Sequence, residues 1–196
     1  MIELEQAAGD AARLHERDAR VRETARAIEC ILLVSGGPVR VEQLVDASQV
    51  SPEIVTAAVE VLMQEYAGRG LEIQTVAGGY QLATRPDHAE VVQRFLGAAG
   101  REPLTQATLE TLAIVAYRQP ITRPELEAVR GVRSEYVLER LEERRLIRVV
   151  GRKATVGRPI LYATTEGFLR YFGLRDLADL PPMAAFGMIH PAAPEE

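Results

Sequence analysis

Residues 104–165 read LTQATLETLAIVAYRQPITRPELEAVRGVRSEYVLERLEERRLIRVVGRKATVGRPILYATT, and the order of patterns inside them decides the fold. Thr105 precedes a stretch in which Leu109, Leu112, Ala113 and Ala116 recur at helical spacing, and Pro120 stops it. Thr122 caps a short helix bearing Leu126. A third helix follows from about Arg133 to Arg145, with Val137, Leu138 and Leu141 inward. The pattern then turns to strands: LIRVV (146–150) and ILYATT (160–165) flank the loop GRKATVGRP (151–159). Three helices followed by a hairpin make a winged helix, a helix-turn-helix with a β-wing.

The same series runs once before. Thr24 is the expected cap of a helix carrying Ala27, Ile28, Ile31, Leu32 and Leu33, which Gly36-Gly37-Pro38 ends. A short helix is expected around Glu42 to Ala47, and Ser51-Pro52-Glu53 opens a third. Its apolar face is Ile54, Val55, Ala58, Val59 and Leu62. LEIQTV, Gly78-Gly79 and YQLAT then read as a hairpin with a tight turn. An offset of 82 positions, the distance from Pro38 to Pro120, also aligns Leu44 with Leu126, Val50 with Val132, Val55 with Val137 and Val59 with Leu141. Both hairpins end in Ala-Thr, at 83–84 and 163–164.

The expected fold class is therefore mainly α with small β-hairpins (α+β), as two tandem winged-helix domains. Residues 1–23 form a charged arm, read as disordered or open in function. Residues 24–100 form the first domain, including a bridging helix from about Asp87 to Leu96, with Gly97 to Pro103 as the joint. Residues 101–175 form the second domain and 176–196 an acidic tail.

Apolar residues make up 47% of the 196, enough for packed cores and too many for a disordered chain. No apolar run is long enough to span a membrane. The N-terminus is charged where a signal peptide would be basic and then apolar. Lone Cys30, in an apolar stretch, is expected in the core; it excludes an intramolecular disulfide and fits a reducing cytosol. The net charge of −5 conceals an asymmetry, because 101–175 alone is basic. That segment suits an anionic partner, acidic protein or phosphate.

Catalytic chemistry finds little footing. His15, His88 and His190 stand apart without metal-ligand spacing, and neither a nucleophile elbow nor a Walker lysine motif is present. Glu142 and Glu143 read as a solvated helix face. The expectation is a protein that is not an enzyme and needs no cofactor or metal. DNA binding is the alternative this fold raises, as a winged-helix transcriptional regulator. Against it, the third helix of the first domain exposes Glu53, Glu60 and Glu65 and has no basic residue. Its counterpart balances Arg133, Arg140, Arg144 and Arg145 against Glu135, Glu139, Glu142 and Glu143. The second wing is better suited to contact: Arg152, Lys153 and Arg158 gather near its tip, facing a protein partner in preference to DNA phosphates.

The run from Leu104 to Pro181 resembles the second half of the segregation and condensation protein B (ScpB) family. The carrying motifs are YRQPIT (117–122), the wing, GRPILYATT (157–165) and FLRYFGL (168–174). IECILLVSGGPVRVEQLV (28–45) and GGYQLATRP (78–86) are similar to its first half, more weakly, so the resemblance covers about 26–182. The chain departs from the family's common residues at Gly37, Arg145, Ala154, Val156 and Ala163; Arg145 stands where glycine is usual. The resemblance implies a homodimer joined mainly through the first domain. It also implies binding to the kleisin ScpA and, through it, to the SMC ATPase and chromosomal DNA, in the cytoplasm at the nucleoid. Carried onto this sequence, the kleisin-contact residues would be Tyr117, Arg118, Pro120 and Thr122 in the turn, Arg152, Lys153 and Arg158 in the wing, and Tyr162, Thr164, Thr165 and Phe168 at the strand–helix join. Second readings stay open: Tyr162, Phe168 and Phe172 as core, Tyr117 as an aromatic beneath the turn, and Thr164 or Thr165 as the cap of the last helix.

Overall fold

A computed structural model describes residues 2–96 and 103–182, with side chains from residue 11 onward. The chain divides into two compact units, Met1–Gly100 and Arg101–Glu196. The expected joint from Gly97 falls outside the described residues up to position 102, as do His190 and the tail after 182.

In the first unit, α1 (Ile2–Ser35) is one helix of 34 residues. Thr24, the expected cap, is inside it and buried, so the arm continues the first helix without a break. Val21, Ala25, Ile28 and Leu32, spaced three and four apart, form the seam that α1 buries. Residues 11–20 are all exposed. Cys30 is exposed too, against the expectation of a core thiol. It lies on the opposite stripe, with exposed Ala27, Leu33 and Val34. Helices α2 (Val41–Ser48) and α3 (Pro52–Glu65) close the core with Leu44, Val55, Ala58, Val59 and Leu62, each at most 1% exposed. Each such leucine or valine contributes roughly 1.5–3 kcal/mol.

Strands β1 (Leu71–Val76) and β2 (Gly79–Thr84) pair antiparallel. The loop between them is Ala77-Gly78, with φ of 50° and 71°, the all-positive two-residue turn that matches strand twist. Gly79 belongs to the strand because a Cβ there would lie 2.7 Å from the Val39 carbonyl oxygen. That approach lets Val39 and Tyr80 exchange two backbone hydrogen bonds of 2.8 Å. After a 3-10 turn (Pro86–His88), α4 (Ala89–Leu96) buries no residue among those described.

The second unit runs α5 (Gln106–Arg118), β3 (Ile121–Thr122), α6 (Arg123–Arg130), α7 (Glu135–Glu143), β4 (Ile147–Arg152), β5 (Ile160–Thr164) and α8 (Glu166–Phe172). Its sheet has the order β3-β5-β4, antiparallel throughout, with an irregularity between Val149 and Gly151. Leu112, Val115, Leu126, Leu138, Leu141 and Ile147 form the centre of its core. Leu174 and Leu180 pack against that core, which therefore extends past the expected boundary at 175.

The two units share a register. Tyr80 pairs with Val39 on one side and Thr75 on the other; Tyr162 pairs with Ile121 and Val149 in the same way. Leu44 and Leu126 are both wholly buried, and Gln49 and Gly131, C-caps of α2 and α6, are both left-handed. The 82-residue offset joins Tyr80 with Tyr162, Val39 with Ile121, Leu44 with Leu126 and Gln49 with Gly131, but not Thr75 with Val149. It does not join the two Ala-Thr endings, which sit at different distances from the paired tyrosines. The fold is mainly helical with small antiparallel sheets, two winged helices in tandem.

Candidate functional site

The turn, wing and strand–helix join of the second unit meet around β3, β5 and the start of α8, and the structure sorts the expected residues by burial. Thr122 is 2% exposed and caps α6. Its backbone N–H and hydroxyl donate to Glu125 Oε2 at 2.9 and 2.7 Å, and its hydroxyl oxygen receives the Glu125 N–H. Thr164 is nearly buried, and both its N–H and its hydroxyl donate to Gln119 Oε1, at 2.8 and 2.9 Å. Thr165 caps α8 by accepting the Phe168 N–H, while its own hydroxyl donates to the Arg145 carbonyl at 2.5 Å. Phe168 is 3% exposed, in the core. A direct contact surface thus loses Thr122 and Phe168 to the interior. Phe172, open to a core reading, is 42% exposed and packs its ring on Phe168 and Tyr171.

Arg118 and Pro120 remain exposed at the turn, as do Arg152 and Arg158 in the wing. Tyr117 is half-buried and donates to the Pro181 carbonyl at 2.5 Å, tying the turn to the segment after α8. Arg152 Nη1 donates to the Arg158 carbonyl at 3.1 Å, so the hairpin braces its own tip, where Val156 is fully exposed. Lys153 is committed elsewhere: its ammonium pairs with Glu125 Oε1 and straps the wing to α6. That bond and those from Thr122 hold the Glu125 carboxyl at about 2, the Lys153 bond being the largest cause. Tyr162 is half-buried beneath the wing; burial, then the Glu142 charge, raises its hydroxyl above the usual range.

Beside this framework lies an open groove of about 870 Å³ whose lining includes Gln119, Thr164 and Thr165 together with Arg145, Arg148 and Arg170. The contact residues expected from the sequence include none of the three arginines, nor Gln119. Arg148 had a signal available, an exposed position alternating with buried Ile147, but Arg145 and Arg170 join it only through the turn after α7 and the docking of α8. Among the described residues, no group of three or more His, Cys, Asp or Glu is placed to hold a metal ion. No helix of the described residues is long and apolar enough to cross a membrane. His15 and His88 are exposed in separate elements.

These features define a tandem winged-helix protein whose second unit presents arginines around a braced hairpin and a groove. A family model described as segregation and condensation complex subunit ScpB matches residues 26–183. The chain belongs to that family. It is 50% identical over 159 residues to segregation and condensation protein B of Moorella thermoacetica, covering 80% of this chain and 81% of that one. Among solved structures it is similar to ScpB from Mycobacterium tuberculosis, at 38% identity, 79% and 97% coverage and a TM-score of 0.38. It is also similar to a dimer of an ScpB N-terminal domain complexed with ScpA peptide, at 24% identity, 42% and 97% coverage and a TM-score of 0.37.

Proposed function

We propose that the chain is a non-enzymatic accessory subunit of a condensin-type SMC complex. It forms a homodimer through its first unit, and its second unit binds the kleisin ScpA. Through ScpA it acts on the SMC ATPase and chromosomal DNA, in the cytoplasm at the nucleoid, supporting chromosome condensation and segregation. The observation that carries this reading is the family match across both winged helices. Two surface features support it. The outer face of α3 carries exposed Glu53, Glu60 and Glu65, which a duplex would repel. The stripe of α1 with Leu33 at 70% and Val34 at 81% exposure offers an apolar face to a second copy.

The direct kleisin contacts are Arg118, Pro120, Arg152, Arg158 and the exposed edge of Tyr162. Thr122, Thr164, Thr165, Phe168 and Lys153 shape that surface from beneath or beside it. A flexible kleisin segment loses conformational entropy on binding, and a rigid, pre-formed surface keeps the remaining cost low. The test is co-purification and titration with ScpA. An Arg152→Ala/Arg158→Ala double variant that folds normally is expected to bind ScpA about tenfold more weakly. Unchanged affinity removes the wing from the contact. Failure of the unaltered chain to bind ScpA overturns the reading as a whole. The solved complex carries its ScpA peptide on an N-terminal domain, so first-unit variants belong in the same titration. The rival, a DNA-binding regulator, predicts tight duplex binding that falls steeply with salt.

A further inference from the structure

Arg145 occupies a position that opposes its side chain. It follows Arg144, the C-cap of α7, with φ of 57°, a left-handed conformation that glycine adopts without cost. The geometry is over-determined: Arg145 N–H donates to the Glu142 carbonyl at 2.8 Å and Leu146 N–H to the Leu141 carbonyl at 2.9 Å, the paired bonds of a Schellman cap. On the other side the Arg145 carbonyl is held by Thr165, and Gly167 packs so close that a Cβ on it would sit 2.6 Å from that oxygen. Strain retained in so fixed a place points to use of the side chain.

That side chain lines the 870 Å³ groove together with Arg148 and Arg170. None of the three guanidinium groups pairs with a carboxylate of a described residue. Between them the lining is apolar at Ala163, Leu169 and Leu177, and its deepest polar groups, on Thr164 and Gln119, are already satisfied by each other. The groove therefore offers three exposed arginines, a net positive charge against Glu142 and Glu166, with apolar surface between them on a pre-formed floor. Glu142 and Glu166 also line it, which disfavours the continuous phosphates of a nucleic acid.

We infer that this groove is a docking site for an extended peptide that alternates acidic and apolar side chains. Arg145, Arg148 and Arg170 receive its carboxylates. The inference rests on the reading above and names where, and with what chemistry, a kleisin segment would seat beyond the wing. Arg145→Gly separates structure from binding, because the two effects have opposite signs. Relief of the left-handed strain raises the thermal midpoint of the second unit by a few degrees, while loss of the guanidinium weakens binding.

The experiment titrates purified ScpA into the full chain, into the Arg145→Gly variant and into an Arg145→Gly/Arg148→Ala/Arg170→Ala variant. Arg133→Ala, an exposed arginine outside the groove, serves as control. The triple variant is expected to stay folded, to bind about tenfold or more weakly and to lose part of the salt dependence of binding, with the control unchanged. Affinity within about twofold of the parent, for a chain that binds ScpA, overturns the groove while leaving the function in place. No binding by the unaltered chain overturns both. A triple variant that loses binding to duplex DNA and keeps ScpA overturns the peptide as occupant.

Discussion

Glu125 bonds three groups with one carboxylate: the Thr122 N–H, the Thr122 hydroxyl and the Lys153 ammonium. Its folded value of about 2 lies below the ordinary 4.5, so its contribution to stability is complete above pH 4.5 and lost as pH falls toward 2. Thermal melts across that window should show the second unit losing stability more steeply in the parent than in Glu125→Gln, and a parallel pair of curves would exclude the role. The group is 42% exposed, so the difference should shrink at high salt. Gly79→Ala tests a steric demand. Its Cβ would meet the Val39 oxygen, carbon and nitrogen at 2.7, 2.9 and 3.1 Å, and backbone there cannot swing aside. A loss of about 1–3 kcal/mol in the first unit is expected from such overpacking, read by denaturant unfolding. Single side chains were the least legible scale in the sequence. Cys30 looked like core because its neighbours are apolar, but the seam follows Ile28 and Leu32 and leaves the thiol outside. Thr122 reads from the sequence both as a cap and as a contact; in the fold it caps α6 and is 2% exposed.

At the scale of elements the sequence was far more informative, since helical spacing, Pro120 and the alternation around the wing each carry a local physical cause. Both hairpins and both short helices lie where those patterns put them, and of the two candidate caps, Thr164 and Thr165, it is Thr165 that caps α8. The start of α1 was missed because Thr24 resembles a cap while nothing before it breaks a helix apart from Gly9. Runs of Ala, Arg and Glu carry high helical propensity, and that propensity outweighed the capping signal. The groove was illegible for a different reason: its arginines come from the turn after α7, from β4 and from α8, and only the close approach of Gly167 to Arg145 brings them together. The Schellman cap makes the energetic side testable. Arg145→Gly should gain about 1 kcal/mol, a shift of about 4–8 °C for a unit of this size. A fall in midpoint would show that the arginine's stem packs usefully where it stands.

At the scale of the molecule, the proposed mechanism depends on having two second units in one particle. Two copies joined through their first units raise the effective concentration of the second kleisin contact, so affinity gained from pairing needs no further interface on either winged helix. The apolar stripe Ala27, Cys30, Leu33 and Val34 on α1 is the surface proposed to join them, and it carries no burden in the core, which uses Val21, Ala25, Ile28 and Leu32 on the other side. That separation permits a clean experiment. Leu33→Asp/Val34→Asp places two charges where a seam would bury them, and unpaired charge in an apolar interface is strongly disfavoured. The variant should melt within about 0.5 kcal/mol of the parent first unit, as exposed substitutions do. Scattering should show a monomer at micromolar concentration where the parent is a dimer, and binding to a long ScpA fragment should weaken while binding to a short single-site fragment does not. A variant that stays dimeric would place the pairing surface on another face of the first unit, with exposed Val91, Phe95 and Leu96 of α4 the next to alter.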